Sequence, residues 1–309
     1  MTSNPFGGVI APALTPFDAA GAPDTARFTA HCRWLLEDGC TGLAPFGTTS
    51  EANSLGMSER MRLLDALVEA GIPAARLMPG TGMCAVPDAV TLTQHAVEAG
   101  AGGVLMLPPF YYKGVGDDGL FRFYAQVIEK VASSKLRLYL YHIPPVAQVG
   151  LSLDLVGRLI EAYPKTVVGL KDSSGDWKNT GALIEAFSAR GFQIYSGSEA
   201  TLLANLRAGG AGCISASANV NARALRQVYD GWQGESADDL QDAISGVRKV
   251  MQSVTLIPML KALMAHYSGV ESWRSVRPPL AAMKAADAAP VIDLLEKAHG
   301  FDLKRLRTA

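Results

Sequence analysis

A lysine, a tyrosine and a hydroxyl-rich turn are the residues through which this chain could do chemistry. The run Val167-Val168-Gly169-Leu170-Lys171-Asp172-Ser173-Ser174-Gly175 is apolar up to Lys171 and then breaks into a turn. Continuous rather than alternating hydrophobicity marks a strand of a parallel sheet covered on both faces, which puts Lys171 at the strand's end. Burial there disfavours the ammonium and leaves an amine able to attack a carbonyl. The alternative is a lysine that reaches for solvent or pairs with Asp172. A second run, Leu140-Tyr141-His142-Ile143-Pro144-Pro145, brings a phenol to the same rim. The turn Gly47-Thr48-Thr49-Ser50-Glu51 offers hydroxyls and N–H groups that can nest a carboxylate. Jointly they suit one reaction class: an amine condenses with a 2-oxo acid, a phenol moves protons, and a nest of donors holds the carboxylate beside the ketone.

These residues need a scaffold that brings strand ends together, and the chain supplies one. Eight short β-like runs each precede an amphipathic helical stretch. The runs are Gly8 to Ala13, Gly42 to Pro45, Leu77 to Gly80, Gly103 to Leu107, Leu138 to Tyr141, Val167 to Lys171, Gln193 to Ser196 and Gly212 to Ser215. Such alternation predicts an α/β fold, a closed parallel (β/α)8 TIM barrel, with reactive groups on the loops after the strands. Ser58 is expected to cap the helix Ser58 to Ala70, with Glu59 just inside and Gly71 closing it. Pro12, Pro45 and Pro79 fall toward strand ends, where a missing N–H is tolerated. From about Gly234 no strand-like run remains. Asp239 to Gln252, Thr255 to Tyr267 and Val291 to His299 read as helices, broken by Pro258, Ser268-Gly269 and Pro278-Pro279. The expected division is a catalytic barrel over residues 1–232 and a C-terminal helical appendage over 233–309, packed on the barrel and available as an oligomer contact.

Composition sets the boundaries. The 309 residues are 49% hydrophobic and 18% charged, as in compact apolar-rich enzymes. A net charge of -1 argues against nucleic acid as a partner. Met1 to Phe17 has no basic segment followed by a long apolar one, and no uncharged run is long enough to span a bilayer. A soluble cytoplasmic protein is expected. Cys32, Cys40, Cys84 and Cys213 lie far apart without C-x-x-C spacing, which favours reduced, individually buried thiols. Since the five histidines form no H-x-x-x-H pair either, no protein-bound metal is expected.

The order G-T-T-x-E, Y-x-I-P and G-x-K-D, on the second, fifth and sixth runs, resembles the dihydrodipicolinate synthase and N-acetylneuraminate lyase superfamily of class I pyruvate-dependent aldolases. Gly8-Val9-Ile10 to Thr15-Pro16-Phe17, Pro108-Pro109-Phe110-Tyr111-Tyr112 and Ser196-Gly197-Ser198-Glu199 extend the likeness over nearly the whole chain. The resemblance implies that Lys171 forms a Schiff base with pyruvate or another 2-oxo acid, without cofactor, and that Tyr141 shuttles protons. It implies that Thr48 and Thr49 hold the carboxylate. Thr48 also links Tyr141 to a second tyrosine from a neighbouring subunit, matching Tyr112 or, because the loop has one extra residue, Tyr111. Gly197 and Ile214 match positions whose backbone lines the site, Glu51 braces the nest, and the assembly is a dimer or tetramer.

Two departures bear on the substrate. Dihydrodipicolinate synthases carry an arginine five residues after the catalytic tyrosine, where this chain has Val146, and usually an asparagine directly after it, where this chain has His142. An isopropyl group cannot replace a bidentate charged contact. The resemblance therefore points to aldol cleavage of a 2-oxo-3-deoxy sugar acid or similar substrate, with a dehydratase of the same imine type close behind. Dihydrodipicolinate synthesis and a binding-only sensor remain as alternatives. His142 could touch substrate hydroxyls or simply be packed.

Overall fold

Strands β1 (Gly8–Ala11), β2 (Gly42–Leu43), β3 (Val104–Met106), β4 (Leu138–His142), β5 (Val167–Asp172), β6 (Gln193–Ser196) and β7 (Gly212–Ile214) pair in parallel in the order β2-β1-β7-β6-β5-β4-β3. This is a computed structural model and describes residues 6–303 and 306. The first five residues of the leader reading, and the last few of the C-terminal segment, lie outside that range.

The run expected as a third strand, Leu77 to Gly80, is not a regular strand among the described residues, and this corrects the count of eight. It joins the sheet through isolated bridges, Leu43 to Leu77 and Gly80 to Leu105. Pro79 has no N–H, so the ladder breaks at that position. The stave is nonetheless bonded on both sides: Met78 N–H donates to Leu43 O at 2.8 Å, Gly80 N–H to Pro45 O at 2.8 Å, and Leu105 N–H to Pro79 O at 3.0 Å. Gly80 is required there, since a Cβ would lie 2.0 Å from Phe46 O. The irregular stave thus closes the gap between β2 and β3, and the ring is the expected (β/α)8 barrel.

Successive strand residues alternate between two cores. Ile10, Ala44, Met78, Leu105, Tyr139, Tyr141, Tyr195 and Ile214 fill the barrel interior. Val9, Leu43, Leu138, Leu140, Leu170, Ile194 and Cys213 face the surrounding helices. Burial on both faces is why the strands read as unbroken apolar runs.

Helices follow as α1 (Thr25–Glu37), α2 (Met57–Glu69), α3 (Val86–Glu98), α4 (Asp117–Val131), α5 (Pro144–Ala147), α6 (Leu153–Ala162), α7 (Trp177–Phe187), α8 (Leu202–Arg207), α9 (Ala218–Gly231), α10 (Ala237–Met251), α11 (Leu256–Ser268) and α12 (Ala285–His299). Some boundaries differ from expectation. Gly56, not Ser58, caps α2, because the Glu59 carboxylate reaches back to the Gly56 N–H at 2.9 Å. Pro258 does not break α11 but lies in its first turn, where a missing N–H leaves no intrahelical bond unmade. Helix α12 begins at Ala285 and carries Pro290 inside it, so it starts six residues before the expected Val291. Cys84 is exposed, in the turn that leads to α3, whereas Cys32, Cys40 and Cys213 are buried; all four are free thiols. Among the described residues no helix is long and apolar enough to cross a membrane.

Candidate active site

Strand register explains how two residues thirty positions apart meet. Tyr141 of β4 and Lys171 of β5 are directly paired positions of adjacent strands, both pointing inward at the strand ends. Both side chains are buried. Lys171 Nζ lies 3.3 Å from Tyr141 Oη and 4.3 Å from the ring centroid. Asp172, one residue on, points outward and accepts from Ser174 N–H at 2.8 Å, Asn179 Nδ2 at 3.0 Å and Thr180 Oγ1 at 2.6 Å. The lysine therefore neither reaches solvent nor pairs with Asp172. His142 also points outward and is packed: its Nδ1 accepts from Leu151 N–H at 2.9 Å. It does not line the cavity above Lys171.

Burial pushes the Tyr141 phenol up, but the charge of Lys171 and hydrogen bonds with Thr48, Lys171 and Ser173 outweigh it and hold the group below its ordinary value. Thr48 thus ties the hydroxyl-rich turn to the phenol. Ser173, which the sequence reading did not single out, is the residue after the outward Asp172, so alternation alone returns it to the inner face.

The turn itself is strained and externally braced. Phe46 and Glu51, on either side of Gly47 to Ser50, both have positive φ (62° and 58°), a conformation that bulky L residues adopt only when their surroundings impose it. Thr49 and Ser50 are buried, and Ser50 O accepts from Thr15 Oγ1 at 2.8 Å. Glu51 braces the turn through an ion pair with Lys261 of α11 and a hydrogen bond from Arg277 N–H at 2.8 Å. Arg277 in turn forks onto Glu59, both bonds 2.7 Å. Burial pulls Lys261 down to about 8 in spite of the Glu51 carboxylate. Because both side chains are fully buried, removing one partner leaves a charge uncompensated. Lys261→Met is expected to cost about 3–5 kcal/mol in denaturant unfolding.

Above Lys171 and Tyr141 opens a cavity of about 480 Å³. It is lined by Thr48, Thr49, Ser173 and Gly197, by Val146 of α5 and Trp177 of α7, and by Arg248 of α10 with Gln252 just after it. Gly197 admits no side chain, since a Cβ would lie 2.8 Å from the Asp172 carbonyl oxygen, and its N–H donates to Asp172 O at 2.6 Å. Ile214 is buried in the same interior cluster as Tyr141 and does not line the cavity, whereas Ala216, two residues on, does. Tyr111 and Tyr112 do not line the cavity. Each is 73% exposed and they pack edge to face, centroids 5.3 Å apart. Arg248 and Lys261 were missed by motif reasoning: they arrive from α10 and α11, and no local spacing links them to the strand ends. Among the described residues no three His, Cys, Asp or Glu side chains converge as a metal would need.

Known proteins resemble this chain in sequence and in fold. The Dihydrodipicolinate synthetase family model matches residues 5–298. A protein of Chloroflexus aurantiacus named as an uncharacterized DapA-like lyase is 30% identical over 284 residues, covering 91% of this chain and 93% of that one. A 4-hydroxy-tetrahydrodipicolinate synthase of Rhizobium meliloti is 34% identical over 249 residues, 80% of this chain and 83% of its own length. The crystal structure of dihydrodipicolinate synthase from Agrobacterium tumefaciens superposes with a TM-score of 0.87 at 34% identity, covering 94% of this chain and 98% of that chain.

Proposed function

Since this chain belongs to the dihydrodipicolinate synthetase family, whose members are class I pyruvate-dependent lyases, we infer that Lys171 forms an imine with a 2-oxo acid and that the reaction is reversible aldol cleavage to pyruvate and an aldehyde. The observation that carries this reading is the buried Lys171 Nζ held 3.3 Å from Tyr141 Oη at the cavity floor, beside Thr48 and Thr49.

The steps follow from those positions. Thr48 and Thr49 hold the carboxylate, which sets C2 over Nζ. The free amine of Lys171 adds to C2, and Tyr141 gives a proton to the departing hydroxyl, leaving water, an iminium and a phenolate. The C4 hydroxyl then passes its proton to that phenolate while the C3–C4 electrons move toward the iminium nitrogen. An aldehyde leaves and an enamine remains. Protonation of C3 and addition of water to C2 release pyruvate and the lysine. Incubation with pyruvate and borohydride is expected to add a stable mass to the peptide containing Lys171. An unmodified peptide would remove the imine reading and leave the binding-only alternative.

A 2-oxo-3-deoxy sugar acid is the substrate class we favour, because the cavity far exceeds what pyruvate fills. A dehydratase outcome would use the same imine. Dihydrodipicolinate synthesis is the second reading, favoured by the names of the relatives and opposed by Val146, which is 62% exposed at the cavity mouth where those synthases carry arginine. Val146→Arg is expected to raise condensation of pyruvate with aspartate semialdehyde by about 10- to 100-fold, the scale of a charged hydrogen bond. Efficient wild-type condensation would reverse the ranking.

The same reading makes the protein cytoplasmic and at least a dimer. Residues 1–232 act as the catalytic barrel, and residues 233–309 as an appendage that braces it. The exposed Tyr111-Tyr112 pair suits burial against a second copy, whose Tyr112 would meet Thr48 and complete the proton relay; Tyr111 is the alternate donor. Gly197 lines the site by its backbone.

A further inference from the structure

We propose that Arg248 and Gln252, one turn apart, form a specificity wall that donates hydrogen bonds to hydroxyl groups on the tail of the 2-oxo acid, selecting an uncharged hydroxylated chain over an unsubstituted or carboxylate-ended one. The inference rests on the imine reading above and extends it to the substrate end remote from Lys171.

Both side chains line the cavity, and the Arg248 guanidinium is held from behind. Its Nη1 donates to Glu199 Oε2 at 3.1 Å and to Ser215 Oγ at 3.2 Å. Glu199 is fully buried and accepts further from the Ser215 and Ser217 hydroxyls. With the Gln252 amide oriented so that its oxygen faces the guanidinium, that oxygen accepts from Nη2 at 2.8 Å and Nε at 2.9 Å. A guanidinium has five N–H groups. These contacts use four, leaving one Nη2 N–H and the Gln252 amide N–H groups for the cavity. Donors fixed in this way lose little freedom on binding.

Charge decides what they take. Glu199 already neutralises Arg248, so the wall offers donors without a net positive field. Asp176, also on the cavity lining, would repel a carboxylate-ended tail. Ser198 and Thr201 add hydroxyls, and the part-exposed Trp177 indole adds an apolar face for C–H groups. Donors, hydroxyls and one aromatic face match a polyhydroxylated chain.

Borohydride trapping reads tail recognition without requiring turnover. Half-saturating concentrations are measured for a six-carbon 2-oxo-3-deoxyaldonate, 2-oxohexanoate and 2-oxoadipate, counting both the six-carbon adduct and any pyruvate adduct left by cleavage. Each is normalised to pyruvate in the same protein. In the wild type the hydroxylated acid is expected to saturate at least about tenfold below the other two, and R248K and Q252A to bring all three within about threefold. R248K keeps the charge opposite Glu199 but loses the fork; if it fails to fold, by circular dichroism, Q252A on the open wall carries the test. A wild type with no preference, one that prefers 2-oxoadipate, or folded variants that keep the wild-type ratio would each overturn the proposal. Absence of a pyruvate adduct on Lys171 would instead remove the reading beneath it.

Discussion

Lys171→Ala is expected to abolish turnover, with a loss on the order of 10⁶-fold, the scale for removing a covalent nucleophile. Among the described residues no other lysine lines the cavity, and the neighbouring inward positions at the strand end are Tyr141 and Tyr195. Lys261 is fully buried in its pairing with Glu51 and does not line the cavity. The variant should also lose the borohydride-stable adduct with pyruvate. Its fold should survive, since a small side chain at the cavity floor leaves no buried charge unpaired. Steady-state kinetics and peptide mass spectrometry check both halves, and residual turnover within a hundredfold of wild type would assign the chemistry elsewhere.

The second large effect belongs to Tyr141→Phe. The ring and its packing are kept while the proton carrier is removed, so kcat should fall by about 10²–10⁴-fold, the usual contribution of a positioned acid or base. Pyruvate binding should change far less, because Thr48 and Thr49 remain. A pH profile separates the roles. The phenol must be protonated to aid the departure of water, so wild-type kcat/KM should fall as pH rises through its ionisation. In the resting protein the Lys171 charge and the Thr48, Lys171 and Ser173 hydrogen bonds hold that ionisation below the ordinary tyrosine range against burial, but the attacking form carries a neutral Lys171, so the fall belongs to the phenol without that charge and should lie above the resting ionisation. That alkaline arm should vanish in the variant; near-normal rates with an unchanged profile would acquit the phenol.

Much of this was legible in the residues. Parallel strands buried on both faces must be continuously apolar, so runs such as Val167 to Leu170 announced themselves, and a polar residue ending one of them had to sit at the rim. A parallel barrel then fixes which ends adjoin, and for that reason Tyr141 and Lys171 could be paired before their register was seen. Pro79 was the exception. Its lost N–H turned the third stave into two bridges, and the bonds that close the ring come from Met78, Gly80 and Leu105.

Tertiary structure alone decided what surrounds the pair. Whether His142 was substrate-facing or packed depended on Leu151, a residue brought alongside by the chain's return. The braces and walls of the site, Lys261 on Glu51 and Arg248 on Glu199, come from helices far along the chain. Helical periodicity shows which face is buried but not which barrel loop that face will meet, because side-chain partnership across such distances is set by packing rather than by spacing.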